Sequence, residues 1–199
     1  MKSTFDIGQE GWFSYDYHGC IRAGRNIYYL AEWEPSGGVG DTGYIWTDYH
    51  VWSADTPESP VSMLPLITYR RYVGLDPVDL RNARVSVYLR GDELRLDGAR
   101  CYFWVVGRGN EGRSSGRWHL TSNPLSIGDG GWAAEPNVFT LSNDESLWHR
   151  SWASNPERPP TLDDLLGDCV SYGFSFVGFK ELPRGRLGMD ELEIKLAGE

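Results

Sequence analysis

Three short stretches of this chain place aromatic and charged side chains two residues apart, the spacing that puts them on one face of a β-strand. Tyr88 and Arg90 alternate with Val85, Val87 and Leu89, so the aliphatic side reads as inward and the Tyr88–Arg90 side as outward. Tyr44, Trp46 and Asp48 alternate in the same way, and Tyr102 with Trp104 is expected to extend the Tyr88 face on a neighbouring strand. Aromatic faces beside placed polar groups are the chemistry of sugar recognition. The ring covers the apolar side of a pyranose, and the polar groups take its hydroxyls. The expected ligand-binding set is therefore Tyr88, Arg90, Tyr102, Trp104, Tyr44, Trp46 and Asp48. Most of the nine tryptophans must be structural in a chain of this size. Trp118, Trp132, Trp148 and Trp152 read as loop residues and are alternatives, because loops at a sandwich rim also carry function.

Other patterns have the spacing of catalytic signatures but lack the context each needs. Gly107-Arg108-Gly109-Asn110-Glu111-Gly112 has the glycines of a dinucleotide fingerprint. The next residues, Arg113 to Trp118, do not read as a helix whose N-terminus could hold a pyrophosphate. Gly112-Arg113-Ser114-Ser115-Gly116 has the spacing of a nucleophile elbow without its strand-turn-helix. Both read as one hairpin loop. Asp190, Glu191 and Glu193 cluster, yet Asp190 and Glu193 point to opposite faces of a strand and do not form a glycosidase pair. His18, His50, His119 and His149 are scattered. Asp48 and His50 share a strand face but lack the further ligands of a metal site.

Positioning these side chains requires strands, and the composition supplies them. The 199 residues include 24 glycines, 11 prolines and 11 tyrosines; glycine and proline punctuate turns, while aromatic and β-branched residues suit a pleated, half-buried surface. Strands are expected at 11–17, 26–33, 44–52, 64–73, 85–90, 93–96, 101–106, 137–141, 174–179 and 192–196. Residues 101–106 are apolar on both faces, as in a central strand covered on both sides. Loops are expected at 34–38, 55–60, 108–117 and 154–160. One short helix comes after Pro159-Pro160: Leu162, Leu165 and Leu166 share a face, Thr161 and Asp164 make a capping box, and Gly167 ends it. The expected fold is all-β, a jelly-roll β-sandwich of two antiparallel sheets with one short helix, forming a single domain over residues 1–199.

Charge narrows the partners. Nineteen basic against 28 acidic residues give a net charge of −9, which removes the basic footprint of nucleic-acid binding and disfavours an anionic membrane surface. Cys20, Cys101 and Cys169 cannot all pair, and Cys101 and Cys169 adjoin apolar residues as buried thiols do. The start of the chain has no apolar leader core and no stretch is long enough to span a membrane, so the default compartment is the cytoplasm.

Several pieces together resemble the jelly-roll carbohydrate-binding modules and the laminin domain IV (laminin B) type within the galactose-binding-like folds. Phe5-Asp6-Ile7-Gly8-Gln9-Glu10-Gly11-Trp12 is similar to their first strand, and Leu80 to Gly91 to a middle strand. Trp118-His119-Leu120, Trp148, the helix at Thr161 to Leu166 and the strand near Phe174 keep the laminin B order. Gly188-Met189-Asp190-Glu191-Leu192-Glu193-Ile194 is similar to the last strand. In those families an acidic residue from the first strand and one from the last often share a structural calcium, which on this resemblance implies Asp6 and Asp190 as metal ligands. Two carboxylates alone fall short of the roughly 6–8 oxygens calcium takes.

The function expected from this reading is a non-catalytic, carbohydrate-binding sandwich that recognises a glycan through aromatic residues on a sheet face. A sandwich that binds another protein is the alternative, since interfaces also favour Trp, Tyr and Arg. A polysaccharide-cleaving enzyme requires two acidic residues to meet in the same groove.

Overall fold

The structure, a computed structural model, describes residues 1–15, 28–54, 61–109 and 111–198. His18, Cys20, Asn26, the expected loop at 55–60 and Asn110 of the glycine-rich pattern lie outside the described residues. In chain order the strands are β1 (Lys2–Ser3), β2 (Trp12–Tyr15), β3 (Tyr28–Leu30), β4 (Glu32–Glu34) and β5 (Tyr44–Asp48). Next come β6 (Ser53–Ala54), β7 (Ser62–Tyr69), β8 (Arg84–Arg95), β9 (Arg100–Gly109) and β10 (Ser114–His119). The last are β11 (Gly128–Asp129), β12 (Asn137–Thr140), β13 (His149–Ala153), β14 (Cys169–Val177) and β15 (Arg184–Lys195). They form two sheets, as expected of a β-sandwich. Sheet one runs β11-β8-β15-β5-β4, with β1 added to β15 and β12 to β8. Sheet two runs β13-β10-β9-β14-β7-β2-β3, with β6 on β7. The recorded pairings are antiparallel except β11 with β8.

Alternation decides what lies between the sheets. Val85, Val87 and Leu89 of β8, Leu187 and Met189 of β15 and Ile45 of β5 point inward from sheet one and are buried. They meet Phe103 and Val105 of β9, Phe174 and Phe176 of β14 and Leu66 of β7. Five of the nine tryptophans, Trp12, Trp52, Trp104, Trp118 and Trp148, are buried. Trp33 packs against the core and donates its Nε1 to Phe5 O at 2.6 Å, which leaves Trp46, Trp132 and Trp152 nearer the surface.

The expected helix is present as α1 (Leu162–Gly167), with Thr161 capping and Asp164 completing the capping box. Leu162, Leu165 and Leu166 are fully buried. The hairpin loop expected at 108–117 is shorter than the sequence implies: β9 runs on to Gly109 and β10 begins at Ser114. Glycine and serine disguise these strand ends because α1 lies against them. Likewise the expected strand at 26–33 contains two strands, since the chain leaves sheet two after Leu30 and joins sheet one at Glu32.

Candidate functional site

Three adjacent strands of sheet one build the face that alternation singles out. Outward residues are Tyr88, Arg90 and Asp92 on β8, Tyr44, Trp46 and Asp48 on β5, and Arg186, Gly188 and Asp190 on β15 between them. Register sets the rows. Arg90, Gly188 and Trp46 stand side by side; Asp92, Arg186 and Asp48 form the next row; Tyr88 stands beside Asp190. Tyr88, Arg90, Tyr44, Trp46 and Asp48 therefore share one surface, although β5 and β8 are far apart in the chain.

The centre of that surface lacks a side chain. A β-carbon on Gly188 would have Ile45 O at 3.5 Å and Arg90 Cβ at 3.7 Å as its nearest neighbours, ordinary contact distances, and the glycine itself is buried beneath the side chains around it. A guanidinium–aromatic pair flanks it on each side. The Arg186 guanidinium lies 4.2 Å from the centre of the Trp46 ring and 3.8 Å from Asp48. Arg90 lies 5.8 Å from the Tyr44 ring and 5.9 Å from that of Trp132, with Asp92 at 2.8 Å. Each exposed cation–π contact contributes about 0.5–1 kcal/mol, enough to orient the guanidinium groups without burying them. Trp46 Nε1 donates to Glu34 Oε1 at 3.3 Å. Burial pushes the Tyr44 hydroxyl above the usual tyrosine value while Arg90 pulls it back, so it remains a neutral donor.

Trp132 is the alternative among the loop tryptophans that joins this site. It meets Tyr44 edge-on at 5.3 Å and donates its Nε1 to Gly37 O at 2.8 Å. Trp118 and Trp148 are buried instead, and Trp152 stands half exposed on β13 of the other sheet. His50 lies just after β5 in a 3-10 turn, its ring nitrogen 3.7 Å from Asp48.

No protein-family model and no curated protein matches this chain. Among solved structures, the whole chain aligns with 96% of CtCBM11, known from work on its solution structure, dynamics and binding, at 12% identity and a TM-score of 0.49. An exo-β-agarase aligns over 85% of this chain and 23% of its own, at 10% identity and a TM-score of 0.44. The K1 cleaved adhesin domain of Lys-gingipain from Porphyromonas gingivalis W83 aligns over 100% of this chain and 98% of its own, at 13% identity and a TM-score of 0.35. Similarity at this level adds nothing to the two-sheet architecture, which strand pairing establishes by itself. Among the described residues, no helix is long and apolar enough to cross a membrane.

Tyr102 and Trp104 do not extend the Tyr88 face, because β9 belongs to sheet two. Trp104 is 2% exposed, donates its Nε1 to Phe174 O at 2.9 Å and packs with Phe13, Leu64 and Ile67 on the outer side of that sheet. Its indole is satisfied and covered. Tyr102 lies beside Ser175 on the same side of sheet two.

Asp190 serves the loop above it. Its Oδ2 accepts from Val39 N at 2.7 Å and Thr42 Oγ1 at 3.3 Å, and its Oδ1 from Glu191 N at 2.7 Å. Asp6 is exposed and accepts from Thr4 Oγ1 at 2.6 Å. Asp190 is thus engaged by the chain's own donors, and no group of three His, Cys, Asp or Glu converges among the described residues. Calcium or a chelator is expected to leave the melting temperature unchanged. Asp190→Ala, which strands two buried N–H groups, is expected to cost about 2 kcal/mol in chemical denaturation.

His119 is a buried titratable group of sheet two. Its ring nitrogens lie 2.8 Å from Ser175 Oγ and 2.9 Å from Ser151 Oγ. Burial, aided by Arg117 and His149, pushes its pKa down to about 3. The folded state holds the neutral ring, whereas the unfolded chain takes up a proton below about pH 6.5. Stability from this residue is therefore full above pH 6.5 and is lost progressively as pH falls towards 3. At pH 4.5 the loss is expected to be about 2–3 kcal/mol. Urea denaturation at pH 7 and 4.5 checks this: His119→Asn must show a smaller difference between the two than the parent chain.

Proposed function

We propose that this chain is a glycan-binding module whose ligand lies across the outer face of sheet one, over Gly188. The observation that carries the reading is the pair of guanidinium–aromatic contacts that meet around Gly188, Arg186 on Trp46 and Arg90 beside Tyr44. Rings offer flat apolar surface, the guanidinium groups donate, and Asp48 and Asp92 accept, the combination a polyhydroxylated ring needs. A protein-binding patch needs apolar area at its centre, whereas this face has charged groups around its centre.

The module binds without cleaving. Asp48 and Asp92 stand on either side of Arg186, and Glu34 joins the same face through its bond with Trp46. Asp48 and Asp92 each pair with an arginine and Glu34 accepts from the Trp46 indole, so these carboxylates serve as acceptors within the binding surface.

The test is intrinsic tryptophan fluorescence titrated with a panel of soluble glycans. A saturable change for one glycan, lost in Trp46→Ala while the far-ultraviolet spectrum is kept, is the expected result. A flat response across a broad panel overturns the reading. The surface then left is the opposite one, where Phe13, Tyr28, Tyr69 and Tyr72 form a connected set of rings with centroids 4.6–6.0 Å apart, and protein binding becomes the better account.

A further inference from the structure

A second cavity, distinct from the Gly188 face, opens where the two sheets part at one end of the sandwich. Its volume is about 200 Å³. Trp12 of β2 and Leu192 and Ile194 of β15 supply apolar lining, and the 3-10 turn Arg70–Val73 borders it. That turn is seated on Gly11, where any β-carbon would collide with Val73. Tyr172 of β14, 7% exposed, lines the interior beside Arg70.

The charges around this cleft are unevenly satisfied. Lys2 pairs with Glu191 at 2.7 Å, and Glu10 accepts from Phe5 N at 2.8 Å. Arg70 is half-buried, and among the described residues no carboxylate pairs with it. Its Nε donates to Asp76 O, and its Nη1 donates to the Met1 thioether at 3.2 Å. A thioether is a weak acceptor. A carboxylate oxygen in its place would form a charge-assisted bond of roughly twice the strength of a neutral one. Burial pushes the Tyr172 hydroxyl above the usual tyrosine value, against the pull of Arg70, and so keeps it a neutral donor beside that position.

We infer that this cleft binds a small amphipathic carboxylate: one aromatic ring or short branched chain against Trp12, Leu192 and Ile194, with its carboxylate on Arg70. The size fits, since a cavity of roughly 150 Å³ holds a benzene ring and this one leaves space for a short acidic arm. Glu10 at the rim limits the ligand to a single acidic group that reaches Arg70.

The experiment titrates the full chain with 3-phenylpropanoate and with its neutral amide, monitored by methyl and indole NMR and by calorimetry. The acid is expected to shift the Leu192 and Ile194 methyls and the Trp12 indole saturably, and to bind roughly tenfold or more tighter than the amide. Arg70→Gln is expected to erase that difference, and Tyr172→Phe to reduce it, with both variants retaining a cooperative melt. Equal affinity for acid and amide, an undiminished preference in Arg70→Gln, or shifts at residues remote from the cleft overturns the inference. So does the absence of binding by 3-phenylpropanoate, hexanoate and 4-methylpentanoate at millimolar concentration. Trp46→Ala must leave the result unchanged, which keeps this cleft separate from the glycan reading.

Discussion

Gly188→Leu is expected to weaken glycan binding about a hundredfold or more, equivalent to roughly 2.7 kcal/mol, while the fold survives. The position is on the outer face, buried between Arg90 on one neighbouring strand and Trp46 on the other. Its φ is not in the left-handed region, and a β-carbon meets nothing closer than 3.5 Å. Leucine there incurs no backbone strain and suits a strand better than glycine does. Its branched end pushes aside the side chains that cover the glycine and separates Arg90 from Trp46. Inserting a side chain at this buried position costs about 1–2 kcal/mol, so melting should fall by about 2–8 °C. Trp46→Ala removes one ring, whereas Gly188→Leu displaces both Arg90 and Trp46, so the glycine variant should be the weaker binder. Wild-type affinity in Gly188→Leu would move the ligand off sheet one.

The two alternating stretches Tyr44-Ile45-Trp46-Thr47-Asp48 and Val85 to Arg90 disclose which side chains face out, because period-two alternation is a local property. That is why five of the seven expected ligand residues lie on one surface. The error over Tyr102 and Trp104 is non-local. Asp97 and Gly98, with φ of 48° and 93°, make the tight turn that usually joins two strands of one sheet. Here the turn is a corner: β8 pairs with β15 from the end of the chain, and β9 pairs with β10 and β14 in the other sheet. Gly188 was visible only as one residue of a last strand. Its place as the floor between Arg90 and Trp46 exists only once the β15 register is set. Trp132 gave no periodic signal because it sits on a loop, held by Gly37 O and the edge of Tyr44.

The glycine-rich stretch that has the spacing of a nucleotide fingerprint carries the second large effect. Gly107 and Gly109 of β9 and Gly116 of β10 form the bare surface on which α1 rests. A β-carbon on Gly107 would run into the Leu165 carbonyl, and one on Gly109 into Pro160. At Gly116 it would sit 3.2 Å from both Pro160 Cγ and the Trp152 carbonyl. Gly107→Val must therefore push the helix backbone outward, and the helix carries Leu162, Leu165 and Leu166, each fully buried. Burying one leucine contributes about 1.5–3 kcal/mol, so partial loss of three gives an expected destabilisation of about 3 kcal/mol or more. For a domain of this size that lowers the melting temperature by about 6–12 °C. Gly112 of the same pattern provides the internal control. Its φ is 80° and a β-carbon there meets nothing within 4 Å, so Gly112→Ala is expected to cost only the left-handed backbone penalty, about 1–2 kcal/mol. Calorimetric melting of the two variants tests the assignment. A Gly107→Val chain that melts no lower than Gly112→Ala would mean that α1 does not depend on the bare strand beneath it.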